Sequence, residues 1–191
     1  MCIKQTDIVK IVLEKSQVDM CKKHAQKAMI GGHSWIREDR EERMAQLGED
    51  QLVGQLGEAA LFLWLFGNLD WYDSSRTESY KKPGKGDKGQ DVPGYKVDIK
   101  TSLMRKKPYP LDYHLFVAPR EWHPGWAFVS GLVESTSDDE ATVLLCGWAR
   151  SEFMQLPDTH QWFKGTYWLP VSSLSPMTEF QLEDNKIQQP S

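Results

Sequence analysis

From Asp50 to Phe66 the chain reads Asp-Gln-Leu-Val-Gly-Gln-Leu-Gly-Glu-Ala-Ala-Leu-Phe-Leu-Trp-Leu-Phe, and this stretch limits the fold more than any other. Wound as a helix, it places Leu52, Leu56, Ala59, Ala60 and Leu63 on one stripe, while Leu61, Phe62 and Leu65 cover the opposite side. Beyond Glu58 the helix is apolar nearly all round, as a buried helix is. Glu58 then needs either a place at the wet edge or a cationic or hydrogen-bonding partner, a metal included, because burying it unpaired is costly. Gly54 and Gly57 would let a neighbouring element approach closely, and Gly67 is a stop signal.

At 191 residues and 40% hydrophobic content the chain fits one domain with a full core. No apolar run is long enough to span a bilayer, and the opening Met-Cys-Ile-Lys-Gln-Thr has no secretion-signal pattern. The expectation is a cytoplasmic protein with no membrane partner. Cys2, Cys21 and Cys146 are too few and too scattered for a disulfide framework or a paired-cysteine zinc site, and they read as reduced thiols with Cys146 in the core.

Residues 6–29 read as a helix with a partial apolar stripe, ended by Gly31-Gly32, and the charged 38–49 run leads into the second helix. Leu69 to Tyr72 suits a short strand, followed by an irregular Gly/Lys loop over 74–89. Strands are expected over 95–102, 113–118, 127–133 and 142–148, a short helix over 150–156, and an edge segment over 167–171, where Pro170 argues against a central place. The division expected is a helical extension over 1–50, a core over 51–180 and a polar, frayed tail over 181–191.

The chemistry gathers at Asp91-Val-Pro-Gly-Tyr-Lys-Val-Asp98-Ile-Lys100. Strand alternation puts Asp98 and Lys100 on one face and Val97, Ile99 and Thr101 on the other. If Pro93-Gly94 turns a hairpin with Val92 opposite Tyr95, Asp91 lies opposite Lys96 and joins the same face. The same register puts Asp87 opposite Lys100, so Asp87 is an alternative to Asp91, less suited because Gly84, Gly86 and Gly89 mark its surroundings as a loop. Between Arg76 and Lys107, ten basic residues face four acidic ones, a balance of +6 that leaves −10 for the rest of a chain whose net charge is −4. A local basic field around acidic residues can draw in a polyanion. The bland alternative is a solvated lysine-rich loop.

Gly57-Glu58-Ala59, then Asp91, then Asp98-Ile99-Lys100-Thr101 resembles the PD-(D/E)XK nuclease superfamily, the restriction-endonuclease-like fold. The match spans roughly Leu52 to Ser102, with Gln90 standing where the family name has proline and no evident long helix after the Asp98 strand. The resemblance implies an α/β (α+β) core with a central mixed sheet flanked by helices, and a Mg²⁺- or Mn²⁺-dependent DNA endonuclease. It assigns Asp91, Asp98 and the Ile99 carbonyl to the metal, Lys100 to the attacking water, and Glu58 to a second metal or its waters. Lys81, Lys82, Lys85, Lys88, Arg105, Lys106 and Lys107 would bind DNA. A homodimer and a phage- or bacterium-encoded enzyme suit the same resemblance, and a catalytically inactive nucleic-acid-binding or assembly module of that fold is the rival. His33, His114, His123 and His160 show no metal-ligand pairing, Thr101 and Ser102 read mainly as strand residues, and Trp122, Trp126 and Trp162 read as core before base-stacking groups.

Overall fold

Val9, Ile11 and Leu13 alternate with Lys10, Val12 and Glu14, and this period of two, rather than a helical one, decides the start of the chain. The structure, a computed structural model, describes residues 3–32, 40–80, 90–105, 109–155 and 165–187, with the backbone alone given for 30–32, 40–47 and 79–80. Its elements are β1 (Val9–Glu14), α1 (Lys15–Gly32), α2 (Arg40–Phe66), α3 (Asp70–Tyr80), β2 (Val97–Leu103), β3 (His114–Val117), β4 (Ala127–Thr136), β5 (Glu140–Arg150) and β6 (Tyr167–Pro170). Among the described residues no helix is long and apolar enough to cross a membrane.

The central sheet has the order β1-β5-β4-β2, with β1/β5 and β5/β4 antiparallel and β4/β2 parallel. It is a mixed sheet flanked by helices in an α+β chain. One core layer lies between the sheet and the helices, where Leu56, Ala60, Phe62 and Tyr72 meet Val97, Ile99, Val129 and Val143. A second layer lies on the other face, where Phe128, Leu132, Leu144 and Cys146 meet Leu115, Val117 and Leu169 of the β3-β6 ribbon. The Pro170-bearing strand β6 pairs with β3 in a two-stranded sheet, and on its other side Trp168 exchanges two backbone hydrogen bonds at 3.0 Å with Gln155.

Several expectations from the sequence are corrected. The helix expected over 6–29 begins only at Lys15, because Val9–Glu14 pairs with β5 from Val9↔Leu145 to Glu14↔Glu140. The 1–50 region is therefore no helical appendage, since it supplies an outer strand of the central sheet. Leu69 to Tyr72 is no strand: the Asn68 carboxamide accepts a hydrogen bond from the Asp70 N–H at 3.1 Å, and Asp70 and Asp73 sit in the first turn of α3, where carboxylates favour a helix N-terminus. The tail is held as far as Ile187. Lys96 donates to the Asn185 carbonyl at 2.7 Å, Ile187 donates to that of Gly94 at 2.9 Å, and Asn185 is buried. The expected short helix over 150–156 shrinks to one 3₁₀ turn at Ser151–Phe153.

Helix α2 ends where the sequence says, with Gly67 at φ +73 donating to the Leu63 carbonyl at 2.9 Å. Gly57 sets how near α2 comes to β2, since a Cβ there would fall 1.8 Å from Thr101 Oγ1. The packing also fixes the faces of β2. Val97, Ile99 and Thr101 look toward the helices, and Asp98 and Lys100 look the other way.

Candidate active site

Strand β2 is an outer strand of the sheet, so one of its edges is free of a ladder partner. Asp91 occupies that edge. Its N–H donates to the Val97 carbonyl at 3.1 Å, and its Oδ2 accepts the Ile99 N–H at 2.7 Å. The Pro93-Gly94 turn forms as expected, with Tyr95 donating to the Val92 carbonyl at 3.1 Å and Gly94 at φ +84, the type II geometry. The register differs by one residue from the expected hairpin, since Asp91 pairs with Val97 instead of Lys96. Lys96 is drawn elsewhere, its N–H to Asn185 and its carbonyl to Ala127 at 2.9 Å. The polar tail that redirects Lys96 carries no obvious pairing signal, which is why the sequence misplaces the register.

Asp98 and Lys100 share a face as alternation requires, with the Lys100 ammonium 2.8 Å from Asp98 Oδ2. The same ammonium lies 2.9 Å from Glu121 Oε2, in the turn where Glu121 and Trp122 both donate to the Ala118 carbonyl. Burial pushes the Asp98 carboxyl well above the usual carboxylate range and the neighbouring Asp91 pushes it further, with Lys100 opposing. Burial works against the Lys100 ammonium, but Asp98 and Glu121 outweigh it and raise its pKa. Burial raises the Glu121 carboxyl, and Lys100 and Arg120 together outweigh it, for a net fall.

Glu58 arrives from the helix side of β2 and meets Asp91 through a third residue. Arg76 of α3, only 7% exposed, contacts Glu58 Oε2 and lies 3.1 Å from Asp91 Oδ1. Glu58 Oε1 accepts from the Gln55 carboxamide at 3.2 Å, and the Gln55 oxygen accepts the Tyr72 hydroxyl at 2.8 Å. Glu58 is thus buried and partnered, away from a wet helix edge. The structure therefore brings Glu58, Asp91, Asp98 and Lys100 around one strand edge, joined by Arg76 and Glu121. Neither connector stands out in the sequence. Arg76 is one basic residue among ten there, and Glu121 belongs to no motif; a polar Gln55 three residues before Glu58 on an apolar helix is the one available hint.

Asp91, Asp98 and the Ile99 main chain are hard oxygen donors of the kind that suit Mg²⁺ or Mn²⁺. Along a strand a residue's C=O and N–H point to the same edge, so the Ile99 carbonyl lies on the edge that its N–H shares with Asp91. A buried Asp98 held against a second carboxylate is where a cation relieves repulsion. Two carboxylates and a carbonyl are, by donor chemistry, a set that one such ion takes. Among the described residues no group of three or more His, Cys, Asp or Glu side chains is placed to hold a metal.

The other expected site residues divide simply. Asp87, Lys81, Lys82, Lys85, Lys88, Lys106 and Lys107 lie outside the described residues, as does Trp162. Arg105 is half-exposed and 2.6 Å from Glu49 Oε2, beside a groove lined by Asp50, Val53, Thr101, Ser102 and Leu103. Trp122 stacks on Tyr167 at 4.7 Å, Trp126 is core, and His114 packs against Phe116 and Trp168. Cys21 and Cys146 are buried free thiols whose pKa burial pushes to about 12. Comparison of the chain with protein-family models, with curated proteins and with solved structures finds no match.

Proposed function

We propose that this chain is a metal-dependent nuclease of restriction-endonuclease-like type that hydrolyses phosphodiester bonds, acting on DNA as an endonuclease. One observation carries the reading: Asp98 and Lys100 are paired at 2.8 Å on a single face of β2 while Asp91 is bonded across the open edge of that strand. Asp91, Asp98 and the Ile99 carbonyl would hold Mg²⁺ or Mn²⁺. When bound, the ion would acidify a water and offset negative charge developing on the phosphate.

The chain's own groups do the rest. Lys100 presents an ammonium that can hydrogen-bond the attacking water and neutralise charge on the scissile phosphate. Glu121 holds the same ammonium at 2.9 Å, so Lys100 is tied to two carboxylates instead of sweeping solvent. Arg76 and the Ile99 N–H hold both oxygens of Asp91. Water attacks phosphorus in line, the opposite P–O bond breaks, and the products are a phosphate monoester and a hydroxyl. The groove beside Arg105 continues from β2 and would take flanking nucleotide backbone.

The test is incubation with supercoiled and linear DNA in Mg²⁺, in Mn²⁺ and in chelator, beside Asp98→Ala and Lys100→Ala. Cleavage that needs metal and both side chains supports the proposal. DNA binding without cleavage supports the inactive module instead, and neither binding nor cleavage refutes both.

A further inference from the structure

The carboxylates of this site are answered by an unequal number of cations. Glu58, Asp91, Asp98 and Glu121 are the carboxylates, and the cations paired with them are Arg76, Lys100 and the exposed Arg120, 3.4 Å from Glu121. The three buried carboxylates, Glu58, Asp91 and Asp98, share Arg76 and Lys100, and Arg76 serves two of them.

The distribution of partners points the same way. Glu58 has one oxygen on the Arg76 guanidinium and the other on the Gln55 carboxamide, whose own oxygen is fixed by the Tyr72 hydroxyl. Gln55, Glu58, Arg76 and Tyr72 are all buried, so this arrangement sits in the core between α2 and α3 and is not a surface pairing that water readily exchanges. Arg76 also spans to Asp91, filling with fixed positive charge the space between the carboxylate on α2 and the one on the strand edge. Asp98 is different. Its Oδ2 lies 2.8 Å from the Lys100 ammonium, on the face of β2 turned away from the helices.

We infer that Arg76 takes the place of a second divalent cation, so that the site binds one ion at Asp91 and Asp98, and Glu58 is a ligand of Arg76 and not of metal. Arg76 is then a positioning residue: it holds Asp91 against the Ile99 edge by charge that cannot dissociate. The inference rests on the metal-dependent reading above and replaces the second-metal role that the family resemblance gives to Glu58.

The test counts ions, independently of cleavage. Metal-free protein is titrated with Mn²⁺ and followed by calorimetry and native mass spectrometry, for the wild type, Glu58→Gln and Asp98→Asn. Gln at position 58 still accepts from Arg76, and circular dichroism checks that the variant folds. One ion in the wild type, one in Glu58→Gln and none in Asp98→Asn is the expected result. Two ions in the wild type, or loss of an ion on Glu58→Gln, overturns the inference and leaves the nuclease reading standing. No Mn²⁺ bound by the wild type overturns both. Should Glu58→Gln fail to fold, the wild-type count decides the matter alone.

Discussion

A methyl group at position 57 would have nowhere to go, since its nearest neighbours would be Thr101 Oγ1 at 1.8 Å and Thr101 Cβ at 2.7 Å. Gly57→Ala should push α2 off β2 and destabilise the protein by about 1–3 kcal/mol, read by urea unfolding. Arg76→Ala should cost more, about 3–5 kcal/mol, because it leaves Glu58 and Asp91 facing each other without their cation. His24 gives a pH test. It is buried with Nε2 2.8 Å from Asp73, and burial, with Lys27 and Lys23 adding to it, lowers its pKa against the opposing pull of Asp73. The unfolded chain, with a His pKa of about 6.5, then binds the proton more readily than the folded one. Stability should be full above that value and should fall as acid takes the pH below it, with the slope reduced in His24→Gln. Asp98 and Lys100 were readable from alternation alone because period two is a local property of a strand. Arg76 and Glu121 were not, because their roles depend on where α3 and the 118–122 turn come to rest.

At the scale of elements, the start of the chain shows why periodicity is ambiguous. Ile8, Val12 and Lys15 suit a helix continuous with α1, whereas Val9, Ile11 and Leu13 suit a strand, and the pairing with β5 decides between them. Leu13 is fully buried while its neighbour Val12 is 45% exposed. Leu13→Ala should therefore cost about 2–5 kcal/mol, and Val12→Ala should change stability by no more than about 0.5 kcal/mol, both by chemical unfolding. Equal costs would contradict the strand. The apolar half of helix α2 was legible to its stop at Gly67, because an all-round apolar segment ended by glycine leaves few alternatives. Helix α3 was missed because Trp71 and Tyr72 favour strands in isolation, while the Asn68 cap acts through one hydrogen bond.

Across the whole molecule, β2 is where the separate parts meet: α2 covers one face, Lys100 and Glu121 lie on the other, and Asp91 from the preceding segment bonds along the outer edge. The mixed sheet and its helices were legible as a class, but the strand order was not, because the parallel β2/β4 pairing brings together segments whose sequences carry no mark of each other. Among the described residues the connection from β2 to β4 contains β3 and a single 3₁₀ turn at Pro110–Asp112, with no long helix, in line with the sequence. The whole account stands on hydrolysis at this edge. The most direct measurement is the single-turnover rate on an end-labelled DNA duplex in Mg²⁺, for the wild type and for Asp98→Asn. The account predicts cleavage by the wild type, abolished by chelator and reduced at least about a hundredfold in a folded Asp98→Asn. An Asp98→Asn rate equal to that of the wild type would contradict it.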